Sequence, residues 1–203
     1  MDNPNTIVIG LCGGIGSGKS TVAASLAARG YLVHDFDRLV RAQLAEPEVI
    51  RMLSEWWGDE VLGENGQLDR AAIAARVFAD EEERKRLEAL LHPRVWMTRP
   101  QAIAAAEAAG APGMVFDAPL LFEAGLDREC DVILFVDTPR DQRLRRVIAR
   151  GWDADELARR EAAQWPLDRK KRASTHVLRN DGDQLTLDSR VADLCGTLRR
   201  STP

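Results

Sequence analysis

The 203 residues, 45% hydrophobic and 30% charged, suffice for one compact α/β domain with a sizeable insertion, and fall short of two large independent domains. A formal net charge of −4 argues against a nucleic-acid or acidic-membrane partner, and no apolar run approaches the roughly 20 residues that cross a bilayer. Three widely spaced cysteines (Cys12, Cys130 and Cys195), with no basic n-region or cleavage pattern at the N-terminus, point to a protein of the reducing cytoplasm.

In chain order, Thr6–Cys12 is a short β-branched apolar run, the pattern of a fully buried strand. Glycines follow, and Ser20–Ala28 reads as a helix that Gly30 closes. Tyr31–Phe36 is a second strand that runs into a pair of aspartates. From Arg38 to about Gly110 the pattern is helical: Glu48–Trp57, Arg70–Phe78, a segment opened by the box Asp80-x-x-Glu83, and the Ala-rich Gln101–Ala109. Gly63–Gly66, with Asn65, marks a turn inside this block. Strands return at Met114–Asp117 and Val132–Asp137, each ending in Asp. Arg140–Arg150 and Asp153–Gln164 read as helices, and Pro166 breaks the second. Thr175–Leu178 is a last strand, followed by a turn at Asn180–Gly182 and a closing helix to about Arg199.

Strands alternating with helices predict an α/β fold with a mostly parallel sheet covered by helices on both faces. The strand-free block is then an insertion between strands two and three, so that 1–37 and 112–203 form a core around an inserted 38–111. A charged helical excursion at 151–173 falls at the carboxyl edge of the sheet, where open α/β sheets bind ligands.

Between the first strand and helix, Gly13, Gly14, Ile15, Gly16, Ser17, Gly18, Lys19 and Ser20 match G-x-x-x-x-G-K-[ST] in full, with Thr21 next. Glycines let the backbone fold tightly, its N–H groups turned inward to cradle phosphate oxygens, and the helix N-terminus adds partial positive charge. Lys19 is placed to span the β- and γ-phosphates of ATP, and the Ser20 hydroxyl to coordinate Mg²⁺. The loop itself names no reaction. A guanine-reading N-K-x-D is absent from the sequence, and a nucleic-acid motor would be larger and more basic. A compact small-molecule kinase with an acceptor domain and a lid remains.

Phosphoryl transfer to an alcohol needs a group that orients the hydroxyl and accepts its proton. Asp35 and Asp37 stand at the end of the second strand, on one side of it if the segment stays extended. Asp37 is the better N-cap for a helix beginning near Arg38, and Asp35 the better base. Asp117, ending the third strand, occupies the place of a carboxylate that holds Mg²⁺ through water, or is a strand-end turn residue.

Taken together these residues resemble the dephospho-coenzyme A kinase family, over nearly the whole chain. The resemblance is carried by Gly10–Thr21, His34-Asp35-Phe36-Asp37, Gly66–Arg70, Leu87–Pro93, Asp117–Glu123, Gln164 and Asn180. Leu91-His92-Pro93 and Pro119–Glu123 are the segments particular to this family, since the phosphate loop is shared by a whole superfamily. The resemblance implies MgATP as donor and the ribose 3′-hydroxyl of dephospho-coenzyme A as acceptor. It implies Asp35 as general base, the inserted helices as the acceptor-binding domain and the excursion after Gly151 as a mobile lid. It further implies Arg146 and Arg150 near the nucleotide and Asn180 beside the adenine. Three positions depart from the family pattern: Phe36 where a small residue is usual, Cys12 where Thr is common, and Ser174-Thr175 where Ala-Asp is frequent. None removes a group the reaction needs.

Within that frame His92 either touches the acceptor or caps the end of a helix ahead of Pro93. Arg70 and Glu123 either position acceptor groups, alongside Asp37, or form buried ion pairs. Trp56 and Trp57 read as helix-face packing, or as an aromatic surface that stacks on the acceptor's adenine. The run Arg169–Arg172 is a solvated face or a phosphate contact, with Lys170 foremost, and Cys12 lies too near a strand core to act as a nucleophile. A monomer or weak homo-oligomer is expected. The alternatives are another small-molecule P-loop kinase of nucleoside or shikimate type, or a regulatory module that binds ATP without rapid chemistry.

Overall fold

The computed structural model describes residues 6–201. The first half runs β1 (Ile7–Gly13), α1 (Lys19–Ala27), β2 (Leu32–Asp35), α2 (Phe36–Gln43), α3 (Pro47–Trp57), α4 (Arg70–Ala79) and α5 (Glu81–Trp96). The second runs α6 (Arg99–Ala108), β3 (Gly113–Asp117), β4 (Val132–Asp137), α7 (Arg140–Ile148), α8 (Ala154–Ala162), α9 (Leu167–Ala173), β5 (His176–Arg179) and α10 (Gln184–Ser201).

The chain divides into two compact units, residues 1–34 with 102–203, and residues 35–101. The first carries the sheet, in the order β2-β3-β1-β4-β5. The β1–β3, β1–β4 and β4–β5 pairings are all parallel, with Leu11 opposite Asp117 and Gly13 opposite Val136. Parallel strands bring their carboxyl ends to one edge, so Gly13, Asp117, Asp137 and Arg179 end together there. The apolar runs are explained by this arrangement: β1 has a strand on each side and helices over both faces, so no position of it can alternate to solvent. Ile9, Leu11, Val115, Leu134 and Val136 form the core with Val22 and Leu26 of α1 and Leu187, Val191 and Leu198 of α10.

The second unit is helical. Val49, Leu53 and Trp57 of α3 pack with Ile73 of α4 and Leu90 and Leu91 of α5 around a separate core. Asp69 and Asp80 cap α4 and α5, each carboxylate accepting from two first-turn amides, which leaves fewer orphan donors at these helix starts. Trp57 is packing, as expected of it; its indole nitrogen donates to Glu83 at 2.8 Å. Trp56 lies under the Arg86 guanidinium, 3.9 Å from the ring centre.

The compact helical unit spans residues 35–101, and α6 runs across its boundary at residue 102. Several sequence expectations are corrected. Within the expected helical excursion, a separate short helix, α9, forms after Pro166, where the sequence marked only a break. Helix α5 does not end at His92: it runs through Pro93 to Trp96. Proline inside a helix forfeits a hydrogen bond and costs about 3 kcal/mol. Burial of Leu90, Leu91 and Val95 on either side offsets it, so His92 sits mid-helix, stacked on Trp96 with ring centres 5.6 Å apart, and caps nothing. Among the described residues no helix is long and apolar enough to cross a membrane.

Candidate active site

The phosphate loop joins β1 to α1. The Ser17 amide donates to the Gly14 carbonyl at 3.1 Å, folding the loop back on itself, and Gly18 enters α1 at φ +89°. That left-handed conformation suits glycine, and a Cβ at Gly18 would stand 2.3 Å from the Asn180 amide nitrogen. No side chain caps α1, so its first amides are left for a bound anion.

The loop carbonyls are held from outside. Arg143 Nη1 donates to Ile15 O at 3.2 Å. Arg146 Nη1 donates to Gly16 O and Ser17 O at 3.2 and 3.0 Å. Asn180 Nδ2 and Thr138 Oγ1 donate to Ser17 O at 2.7 and 2.8 Å. In a trans peptide the carbonyl of one residue and the N–H of the next point in opposite directions. Anchoring the carbonyls of Ile15 and Ser17 outward therefore aims the amides of Gly16 and Gly18 inward. Lys19 folds over the mouth of the loop, its ammonium donating to Gly13 O and Gly14 O at 3.3 and 3.4 Å. Ser20 and Thr21 are exposed at the start of α1.

Beside the loop lies a cavity of about 200 Å³ lined by Gly18, Thr21, Arg146, Arg150, Asn180, Gln184 and Leu187. It brings together Arg146, Arg150 and Asn180, the three residues expected near the nucleotide. Arg146 and Asn180 nevertheless spend donors on the loop itself, so their first role here is to shape it. A second cavity of about 140 Å³ is lined by Gly14, Val136, Asp137, Arg143, Asp168 and Lys171.

Within the sheet unit, α8 and α9 are held by ion pairs. Lys170, 1% exposed, pairs with Glu123 at 2.9 Å and donates to Gln164 Oε1 at 3.0 Å. Glu123 Oε1 also accepts from the Trp165 amide at 2.6 Å, and Phe122 stacks on Trp165. The structure thus pairs a half-buried Glu123 with a fully buried Lys170, which does not lie on a solvated face. Lys171 pairs with Asp137 at 2.8 Å. Cys12 is buried 3.2 Å from the Ser174 hydroxyl; burial pushes its thiol pKa up, against the lowering effect of that contact.

In the helical unit, Asp35 caps α2, its Oδ1 accepting from the Arg38 amide at 2.8 Å. Asp37 was the expected cap, but the helix begins at Phe36, so Asp37 lies in its first turn and Asp35 takes the cap. The two aspartates consequently do not share one side of an extended strand. Phe36 is buried, which accounts for the large residue at that point. Arg70 opens α4 and is exposed.

Sequence reasoning missed Thr138, Arg143 and Glu161. A signal existed for Arg143: Arg146 follows it at helical spacing, so the two lie on one face of α7.

Residues 7–186 match the family model described as dephospho-CoA kinase. A dephospho-CoA kinase of Deinococcus radiodurans is 44% identical over 184 residues, covering 90% of this chain and 88% of that protein. Another, of Corynebacterium efficiens, is 41% identical over 177 residues, covering 86% and 88%. The crystal structure of TT1252 from Thermus thermophilus superposes with a TM-score of 0.81 at 39% identity, covering 98% of this chain and all of that one. The phosphate loop in its brace of arginines and Asn180 stands in a chain whose likenesses extend over most of its length, and that chain belongs to the dephospho-CoA kinase family.

Proposed function

We propose that the protein transfers the γ-phosphoryl group of ATP to the ribose 3′-hydroxyl of dephospho-coenzyme A, giving coenzyme A and ADP. The observation that carries this reading is the braced loop Gly13–Ser20, with inward amides and Lys19 at its mouth, in a chain of this family. The triphosphate lies in the loop and the Lys19 ammonium leaves its two carbonyls for the β- and γ-phosphates. The adenine takes the cavity between Arg150 and Asn180. The residues present fit Mg²⁺: an exposed hydroxyl at Ser20 and a strand-end carboxylate at Asp117 suit an ion that keeps several waters and rides on phosphates. Among the described residues no cluster of three or more His, Cys, Asp or Glu forms a metal cage. When bound, the ion neutralises charge on the transferring phosphoryl group.

Asp35 orients the 3′-hydroxyl and accepts its proton. Its Oδ1 holds the helix cap, and a carboxylate has a second oxygen to offer. The helical unit binds the acceptor, with Asp37, Arg70 and His92 as contacts, and Glu123 acts on the acceptor side through its pair with Lys170. Segment 151–173 serves as the lid. Incubating the protein with MgATP and dephospho-coenzyme A should yield ADP and coenzyme A in equal amounts. Turnover on a nucleoside or shikimate but not on this acceptor would reject the assignment, as would ATP binding with no ADP formed on any of them.

A further inference from the structure

Behind the phosphate loop lies a cation to which the proposed chemistry gives no task. Arg143 of α7 is 4% exposed. Its Nη1 both donates to Ile15 O and pairs with Glu161, on α8. The guanidinium lies against Gly14, where a Cβ would meet Nη1 at 2.7 Å and Cζ at 3.0 Å. It is thus a full positive charge set against the outer wall of a loop whose inner wall receives phosphate.

A buried charge is screened far less than a surface one, so Arg143 adds to the field that attracts a polyphosphate. Glu161 opposes that field. Its side chain is 24% exposed and its carboxylate is held on the same nitrogen that braces the loop. The other charges lining the adjoining cavity are Asp168 and the Asp137–Lys171 pair. Asp137 and Lys171 largely cancel one another, which leaves Glu161 as the counter-ion in direct contact with Arg143.

We propose that the Arg143–Glu161 pair sets the nucleotide affinity of the loop. Arg143 is a positioning residue that anchors Ile15 and contributes attraction, and Glu161 is a counter-ion that loosens the hold on ADP and ATP. This rests on reading Gly13–Ser20 as the ATP site. A pair with only a structural role makes the opposite prediction for Glu161, because losing either partner would then loosen the loop and weaken binding.

Titration calorimetry of ADP with Mg²⁺ on the full chain separates the two. Glu161→Gln keeps the size and an oxygen that accepts from Arg143 but removes the charge, and it should tighten ADP about three- to tenfold. Arg143→Gln should weaken ADP about tenfold, and Arg143→Lys should recover most of that loss. Unchanged or weaker ADP binding by a natively folded Glu161→Gln protein overturns the proposal. If Arg143→Gln does not fold, the sign of the Glu161→Gln effect decides alone. Failure of the wild-type chain to bind ADP would overturn the nucleotide reading itself, a result distinct from normal wild-type binding with no effect of Glu161→Gln.

Discussion

The Asn180 side-chain amide donates to the Ser17 carbonyl at 2.7 Å, and the same nitrogen stands 2.3 Å from where a Cβ on Gly18 would be. Side chain and missing side chain are one fit. Gly18→Ala is therefore expected to disrupt the loop twice, by displacing Asn180 and by forcing alanine into a left-handed conformation that costs about 1–2 kcal/mol. The KM for ATP should rise at least about tenfold, while the KM for the acceptor changes little. Steady-state kinetics with each substrate varied in turn checks this.

Asp35 caps a helix and is proposed as the base, and one substitution separates the two roles. Asparagine caps helices about as well as aspartate but cannot take a proton. Asp35→Asn should leave the urea unfolding midpoint and ATP affinity unchanged while kcat falls about 10²–10⁴-fold. An unaltered kcat would move the base elsewhere.

Lys170 of the Lys170–Glu123 pair is fully buried, and Glu123 Oε2 is buried with no hydrogen-bond partner among the described residues. Removing one partner of such a pair strands the other, at a cost of about 3–5 kcal/mol. Lys170→Met should therefore unfold at markedly lower urea. The double variant Lys170→Met with Glu123→Leu should recover much of the loss, because apolar replacement of both members removes the stranded charge. A double variant no better than the single would show that packing, not charge, is at stake.

Alkaline pH should weaken the fold. Burial pushes the Cys130 thiol from an ordinary 9.0 up to about 12, helped by nearby Asp127 and Glu129. Burial likewise raises Tyr31 from 10.0 to about 12. Above pH 9 the unfolded chain sheds protons that the native chain retains, so the stability these groups contribute is full below pH 9 and lost between there and about 12. Urea denaturation at pH 8, 9.5 and 10.5 should show a falling midpoint. Cys130 should also resist iodoacetamide at pH 8 until denaturant is added, since the thiolate is the nucleophile.

The sheet was legible because β-branched apolar runs bounded by glycine and aspartate have few alternatives; β4 falls at Val132–Asp137 as read, and β1 is shifted by one residue. Helix α9 escaped notice because its sequence, Leu-Asp-Arg-Lys-Lys-Arg-Ala, has no apolar stripe. Its buried member is a lysine, held by a glutamate 47 residues earlier in the chain, a pairing no local pattern reveals. His92-Pro93 misled for a related reason: tertiary packing on both sides outweighs a local stop signal. The phosphate loop itself was plain, because Gly13, Gly16 and Gly18 each answer a backbone demand with a positive φ. The brace behind it was not, because arginine so seldom lies buried that Arg143 reads as surface.

Every brace on that loop comes from the last third of the chain. Thr138, Arg143, Arg146 and Asn180 reach back across 121 to 163 positions to hold carbonyls at Ile15, Gly16 and Ser17. Contacts of such long separation form only after much loop-closure entropy has been overcome. During synthesis, the segment proposed to receive ATP therefore leaves the ribosome before the residues that shape it. A chain lacking Asn180 would keep the contacts from Thr138, Arg143 and Arg146 but lose the hydrogen bond to the Ser17 carbonyl, so the full brace waits for a residue 163 positions beyond the one it holds.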